Sequence, residues 1–490
     1  MSDQFAKVPE KQSPVTNSSL RWALLSLSLS MLMSSLDTSI ANAGLPALAR
    51  AFTASFQAIQ WVVLAYLLAI TSLIVGVGRL GDMAGRRRLL LFGIGLFTAA
   101  SLLCGVAPTL WFLIAARAVQ GLGAAVMMAL TLASVGETVP KEKTGSTMGL
   151  LGTMSAVGTT LGPSLGGLLI AGFGWRSIFL VNVPLGIANY LLAQRFLPPD
   201  RQRPATEQSG FDLRGTLILA LTLAAYSLAM TSGRPTFGAT SIALLLAAAA
   251  GAILFVRAEV NAPSPLLRLE MFHNRGLNAS LGMSALVSTV VMSTLVVGPF
   301  YLSGGLGLSA SLVGLVLSVG PLAAALAGVP AGRLVDRFGA RRMTFAGLSG
   351  MAAGCLALSW LPSGLGVAGY LAPIACMTTG YALFQAANNT AVMTDAGQEQ
   401  RGVISGMLSL SRNLGLITGA AAMGAVFSLA TGVPNVTTAS PQALATGLRI
   451  TFGVAALLML GALAIALGAR RQAKPNQTVT STIEALAGEA

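Results

Sequence analysis

Fourteen apolar stretches, each long enough to cross a bilayer as a helix, leave this 490-residue chain few folds to adopt. A spanning helix needs about 20 mostly apolar residues. Such stretches run approximately over 21–43, 57–78, 88–107, 110–136, 145–171, 177–197, 214–231, 239–257, 277–299, 309–331, 342–361, 366–391, 402–430 and 446–468. The weakest two, 214–231 and 239–257, are separated by Gly233-Arg234-Pro235, a turn signal that reads them as two spans rather than one broken segment. The runs are unbroken rather than alternating over about ten residues, which argues against a membrane barrel. Composition agrees: 9% of residues are charged and mean hydropathy is +0.75, against roughly 25% charged in a soluble domain. The expected fold class is an all-α membrane protein. The first twenty residues are polar and carry Pro9 and Pro14, with no cleavable leader pattern, so the first run is read as a retained span.

The 30 Lys and Arg against 16 Asp and Glu admit two readings, nucleic-acid binding or topology signals in short loops. Position decides between them. With the N-terminus inside, 24 of the 30 fall on the cytoplasmic side. Four fall outside (Arg50, Arg176, Arg234, Arg449) and two within spans (Arg117, Arg412). That is the positive-inside pattern, and the scattered basic residues form no continuous groove for nucleic acid. Both termini are then cytoplasmic. His273 is the one histidine and lies in a polar loop, so no His-based metal site is expected. Cys104, Cys355 and Cys376 all fall in apolar runs and read as buried small side chains rather than disulfide partners.

The longest internal hydrophilic stretches, 198–213 and 258–276, flank spans seven and eight. Setting that hairpin aside leaves two six-span halves. The expected organisation is an N-terminal tail (1–20), a six-helix half (21–197), loops and an inserted hairpin (198–276), a second six-helix half (277–468) and a polar C-terminal tail (469–490). A repeat supports the division. Gly78-Arg79-Leu80-Gly81-Asp82-Met83-Ala84-Gly85-Arg86-Arg87-Arg88 follows the second span. Gly332-Arg333-Leu334-Val335-Asp336-Arg337-Phe338-Gly339-Ala340-Arg341-Arg342 follows the tenth, 254 residues on and without a gap. Internal duplication accounts for the agreement, and many secondary transporters are built that way. The glycines permit a tight turn. Asp82 and Asp336 can favour a neighbouring helix N-terminus or pair with an Arg. A topology anchor would need only the arginines; the Asp kept within each basic cluster points to a conformational latch.

This loop, Gly-x-Leu-x-Asp-x-x-Gly-Arg-Arg, resembles the signature of the major facilitator superfamily. The first copy matches closely, while the second has Ala340 where the first Arg of the pattern stands, so a weaker latch is expected there. Fourteen spans with a central inserted hairpin resemble the drug:proton antiporter branch, and the likeness runs from about Trp22 to Leu467. The resemblance implies the major facilitator fold, with two six-helix halves working by alternating access about a central site.

Asp37 is the one acidic residue deep within a span, about sixteen residues into the first and in its outer half. A charge at mid-bilayer costs ~2.5–3.5 kcal/mol on insertion scales, so it is a functional candidate by default. A carboxylate held there is expected to bind a proton at accessible pH. Arg117, in the fourth span, lies at similar depth. The two can form a static ion pair or compete for a proton, and coupling is favoured because buried pairs add little net stability. Leu36-Asp37-Thr38-Ser39-Ile40-Ala41-Asn42-Ala43-Gly44-Leu45-Pro46 resembles the first-span motif of fourteen-span antiporters, and Arg117-Ala118-Val119-Gln120-Gly121-Leu122-Gly123 a fourth-span motif associated with proton transfer.

In the fifth span Gly158, Gly162 and Gly166 recur at i+4, a small-residue face for close helix contact, with Gly167 beside it. Pro163 removes one backbone hydrogen bond. Packing alone explains these residues about as well as function, but Gly158 to Gly167 also resembles the family's antiporter motif and implies export over uptake. Trp175-Arg176-x-x-Phe179-x-x-Asn182-x-Pro184 resembles a further segment of the fourteen-span branch. Glu137 reads as a solvated acid at the end of span four. Gln385, Asn388, Asn389 and Arg412 are candidate polar groups of a substrate cavity, with interhelical hydrogen bonding an equal explanation for the amides. Trp61 and Tyr66 are candidate aromatic surface near the outer end of a substrate cavity, with packing the plainer role.

The function expected from all this is proton-coupled export of lipophilic, cationic compounds across a bacterial cytoplasmic membrane, with no cofactor beyond the proton gradient. The expected partners are lipid, protons and small amphipathic substrates, with the monomer as the working unit. A dedicated exporter of a metabolite, antibiotic or siderophore is the alternative. A non-transporting sensor or scaffold would leave Asp37 and the duplicated loop unexplained. No nucleotide-binding loop, metal-ligand cluster or nucleophile constellation points to an enzyme.

Overall fold

The computed structural model describes residues 17–138, 144–200, 212–231, 238–262, 272–360, 362, 365–394, 401–433 and 436–472. A few helical side chains, those of Arg79, Asp82 and Glu137 among them, also lie outside the description, as does the Gly233-Arg234-Pro235 turn. Helix dominates, and no strand occurs among the described residues. In lipid every backbone N–H and C=O must be satisfied within the segment, and only the helix does this for a single span. Exposed ends are capped where the sequence allows: Ser55 Oγ accepts the Ala58 amide at 3.2 Å, and Asn274 Oδ1 accepts those of Gly276 at 2.9 Å and Leu277 at 3.1 Å.

The first group of helices comprises α1 (Asn17–Ala51), α2 (Phe56–Ala84), α3 (Arg86–Gly105), α4 (Leu110–Thr138), α5 (Thr144–Phe173), the short α6 (Ser177–Leu180) and α7 (Asn182–Phe196). A pair follows, α8 (Leu213–Thr231) and α9 (Ala239–Asn261). The second group is α10 (Arg275–Phe300), α11 (Ala310–Phe338), α12 (Ala340–Ser359), α13 (Gly366–Thr394), α14 (Arg401–Thr418), α15 (Gly424–Ala430) and α16 (Pro441–Gln472). A π-turn at Tyr301–Gly305 extends α10, and another at Gly419–Met423 joins α14 to α15.

Three expected spans differ in detail. The span at 177–197 divides at Val181, because Pro184 has no N–H for the carbonyl of Leu180. The span at 277–299 is continued by a π-turn and that at 402–430 contains one, which periodicity of apolar residues does not reveal. Thirteen helical segments among the described residues are long and apolar enough to cross a membrane. The segment missing from that set is α12, whose first turn carries Arg341 and Arg342.

The packing repeats between the two groups. In the first, α1 lies on α5 and α7, α4 on α2 and α3, and α3 on α7. In the second, α10 lies on α14 and α16, α13 on α11 and α12, and α12 on α16. Each pairing in one group has its counterpart in the other. α12 therefore occupies the place of α3 despite its lower apolarity. The groups meet through α5 with α11, α2 with α14, and α1 with α10. The α8–α9 pair sits outside both, with α8 against α2 and the 419–423 π-turn.

The bundle's exterior is apolar: Trp111 is 71% exposed and Leu326 70%, as lipid contact requires. Cys104 and Cys355 are buried as expected, but Cys376 lies on the outer surface of α13; all three thiols are free. One end of the bundle carries the Arg86–Arg88 and Arg341–Arg342 turns and is called here the charge-rich end; the other, with the 52–55 turn, is the charge-poor end.

Candidate functional site

Asp37 lies on α1 and Arg117 on α4, both fully buried, and they form an ion pair with Arg117 Nη1 donating to Asp37 Oδ2 at 2.5 Å. Two more donors hold the carboxylate. Gln120 Nε2 reaches Asp37 Oδ1 at 2.9 Å, and Asn182 Nδ2 reaches the same oxygen at 2.8 Å. The guanidinium is shared as well: Nε donates to the Val62 carbonyl at 3.0 Å, and Nη1 also reaches Gln120 Oε1 at 2.6 Å. Its plane lies over the Tyr66 ring, 4.1 Å from the centroid, a cation–π contact that strengthens when desolvated. Tyr66 in turn donates its hydroxyl to the Ser34 carbonyl at 3.2 Å, and Gln120 Nε2 to Ser101 Oγ at 2.8 Å. Six elements, α1 to α4 with α6 and α7, thus surround one carboxylate and one guanidinium.

A network of this kind is uncharged overall and nearly saturated, the condition under which buried ions are tolerated. Asn182 Oδ1 is the one buried amide oxygen of the cluster without a described partner. Removing Arg117 would leave the buried carboxylate without a counter-charge.

The glycine face of α5 positions α1 and so the carboxylate. A Cβ on Gly158 would come within 2.5 Å of the Leu32 carbonyl, one on Gly162 within 2.5 Å of Ser39 Cβ, and one on Gly166 within 2.8 Å of Ile40 Cγ1. Those residues bracket Asp37. Gly167 faces the other group, where a Cβ would lie 2.5 Å from the Ala310 carbonyl of α11, and Pro163's carbonyl approaches Gly314 there. The motif is the crossing of α1, α5 and α11.

The two repeated loops share a backbone. Gly85 has φ 91° and Gly339 φ 85°, and each donates its N–H four residues back, to Gly81 and Val335. A residue with a side chain is strained at such φ. Their surroundings differ. The amides of Arg87 and Arg88 donate to Asp200 at 2.7 and 3.2 Å, so this carboxylate caps α3. Arg86 Nη1 donates to the Ala133 carbonyl of α4 at 3.0 Å, and Arg87 Nη2 to that of Gln194. In the second loop a Cβ on Gly339 would meet nothing among the described residues, and Asp336 and Arg341 are exposed. Gly78 is half-buried and Gly332 likewise, each with space around it.

The remaining candidates scatter. Tyr66 belongs to the ion-pair cluster. Trp61, half-buried, donates Nε1 to Thr231 Oγ1 of α8 at 3.0 Å. On α13, Asn388 is buried and donates to the Ser280 carbonyl of α10 at 3.5 Å, Gln385 is half-buried and Asn389 is exposed. Arg412 is half-buried on α14, with no carboxylate against it among the described residues. Gln120, Asn182, Ser101 and Asp200 were not singled out by the sequence. The first two stand inside quoted motifs, Gln120 one helical turn from Arg117; Asp200 carries no local signal.

Residues 27–420 match the family model described as Major Facilitator Superfamily. The chain belongs to this superfamily. The uncharacterized transporter YebQ of Escherichia coli K12 is 34% identical over 400 residues, 81% of this chain and 87% of its own length. The multidrug resistance protein Stp of Mycobacterium tuberculosis H37Rv is 33% identical, over 83% of this chain and 75% of its own. The riboflavin transporter RibZ of Clostridioides difficile 630 is 30% identical, over 83% and 88%. Among solved structures, the nucleoside transporter NupG superposes with a TM-score of 0.66 at 12% identity, covering 90% of this chain and 99% of that one. A bacterial homologue of the human lysosomal transporter Spinster also gives 0.66, at 16% identity and over 94% and 98%. These two likenesses show the major facilitator fold. The chain is thus a membrane-embedded major facilitator transporter, and its buried ion pair sits inside the matched region.

Proposed function

We propose that this transporter is a proton-coupled exporter of lipophilic, mainly cationic compounds, with Asp37 as the proton-binding group. The observation that carries the reading is the Asp37 carboxylate, fully buried within a bundle of spans and held by Arg117, Gln120 and Asn182. A proton reaching it removes the negative partner from Arg117. The guanidinium is not then stranded, because the Val62 carbonyl, Gln120 Oε1 and the Tyr66 ring remain around it. Protonation therefore exchanges one tolerable arrangement for another, the property a coupling site needs. An inward proton gains ~2.3 kcal/mol per 100 mV of membrane potential, and no further cofactor is required. The multidrug resistance protein among its relatives supports the substrate class. On this reading the protein works as a monomer in a bacterial cytoplasmic membrane, the charge-rich end inside, with the loops at Asp82 and Asp336 as gates at that end.

The riboflavin transporter among the relatives favours a second reading, a dedicated transporter of one metabolite using the same machinery. Adding a lipophilic cation such as tetraphenylphosphonium to purified protein in weak buffer separates the two. The multidrug reading expects proton release with the parent and none with Asp37→Asn. Release by one metabolite and by no lipophilic cation would favour the dedicated transporter.

A further inference from the structure

Where the two groups of helices meet at the charge-poor end, three residues in the first two turns of α2 make contacts with the second group. Phe56, fully buried, lies between Phe300 of α10 and Phe427 of α15, with ring centroids 4.8 and 5.6 Å away. Gln57 Nε2 donates to Ser428 Oγ at 2.7 Å. Gln60, only 1% exposed, donates Nε2 to the Ala420 carbonyl at 2.7 Å. Ala420 belongs to the π-turn Gly419–Met423. Such a turn widens the helix locally, and isolated π-turns concentrate at functional sites. Gly424 follows it and leaves the space that Gln60 fills, since a Cβ there would collide with Gln60 Nε2.

We propose that Gln60 is the latch of the charge-poor gate, and that the π-turn with Gly424 is its keeper. A buried amide and a buried carbonyl must each be hydrogen-bonded, and leaving one unmet costs ~1–3 kcal/mol. Closed, they satisfy each other; open, water satisfies both. The intermediate, parted but dry, is penalised. This makes the gate two-state rather than gradual, and because both partners are uncharged its own strength does not titrate. The same stretch of α2 meets the coupling site: Val62, two residues beyond Gln60, gives its carbonyl to Arg117 Nε. Arg117 therefore holds the segment that carries the latch, and a change in its pairing with Asp37 reaches the gate through α2. This last link rests on the proton-coupling reading; the latch itself does not.

Spin labels at Ala51→Cys and Gln442→Cys, both exposed at the charge-poor end, read the gate as a distance, with Cys376→Ser removing the exposed native thiol and the two buried cysteines left in place. Gln60→Leu should move the open-to-closed ratio about tenfold toward open, the equivalent of ~1.4 kcal/mol. Gly424→Ala evicts the same amide from the other side and should do likewise, so one variant suffices if the other does not fold. In the double variant the shift should be no larger than in Gln60→Leu alone, because both act on one contact. A parent-like distance distribution in both single variants, or shifts that add, would overturn the latch. Asp37→Asn in the labelled protein separates the two ideas: loss of proton release with an intact response to Gln60→Leu leaves both standing, while unchanged proton release removes the link to Arg117 and not the latch.

Discussion

Gly85 and Gly339 stand 254 residues apart and turn the chain in the same way, with φ of 91° and 85°, yet the chain around them differs. The first loop is gripped: Asp200 caps α3, and Arg86 and Arg87 reach the carbonyls of Ala133 and Gln194. The second has the same turn with open space around Gly339 among the described residues and an exposed Asp336. The membrane charges divide likewise. The first group encloses a complete ion pair, whereas the second carries Arg412 with no carboxylate against it among the described residues. The backbone turn and the helix pairings recur in both groups; what each loop does depends on residues the motif does not contain. On our reading the first group holds the energy coupling and the firmer loop, and the second is freer to shape the substrate path.

The sharpest way to break this contrast is to remove one arginine from each group. Arg117→Leu leaves Asp37 buried and uncompensated, which should cost ~3–5 kcal/mol. Arg412→Leu, with no carboxylate against it among the described residues, should cost under ~1 kcal/mol. Denaturant unfolding in one detergent checks the pair, and equal losses would mean that the groups are not specialised as described. A smaller effect separates the loops. Asp200→Ala removes the cap of α3 and should cost ~0.5–2 kcal/mol, with slower transport at equal expression. Asp336→Ala should alter stability by no more than ~0.5 kcal/mol. If the two substitutions weighed the same, the first loop's extra contacts would be incidental.

Much of this could be read in the sequence, within limits that have a physical cause. Runs of apolar residues report depth, so the positions of Asp37 and Arg117 and the repeated turn were legible. Depth says nothing of which way a side chain faces. Asn182 reaches Asp37 from 145 residues away, and Tyr66, read as aromatic surface with packing the plainer role, lies against Arg117. Asp200 is an ordinary acid after the sixth span and becomes a helix cap only because α7 returns beside α3. The π-turn at Gly419–Met423 carries three alanines, which locally favour an ordinary α-helix, so nothing local foretold that it would receive Gln60.

The account stands or falls on whether Asp37 carries the proton that drives transport. Purified protein in vesicles, loaded with tetraphenylphosphonium and given a pH gradient, tests this directly when energised accumulation and gradient-free exchange are measured side by side. The account predicts that the parent shows both, and that Asp37→Asn keeps exchange but loses every dependence on the gradient. Gradient-driven accumulation by Asp37→Asn at the parent's rate would contradict it.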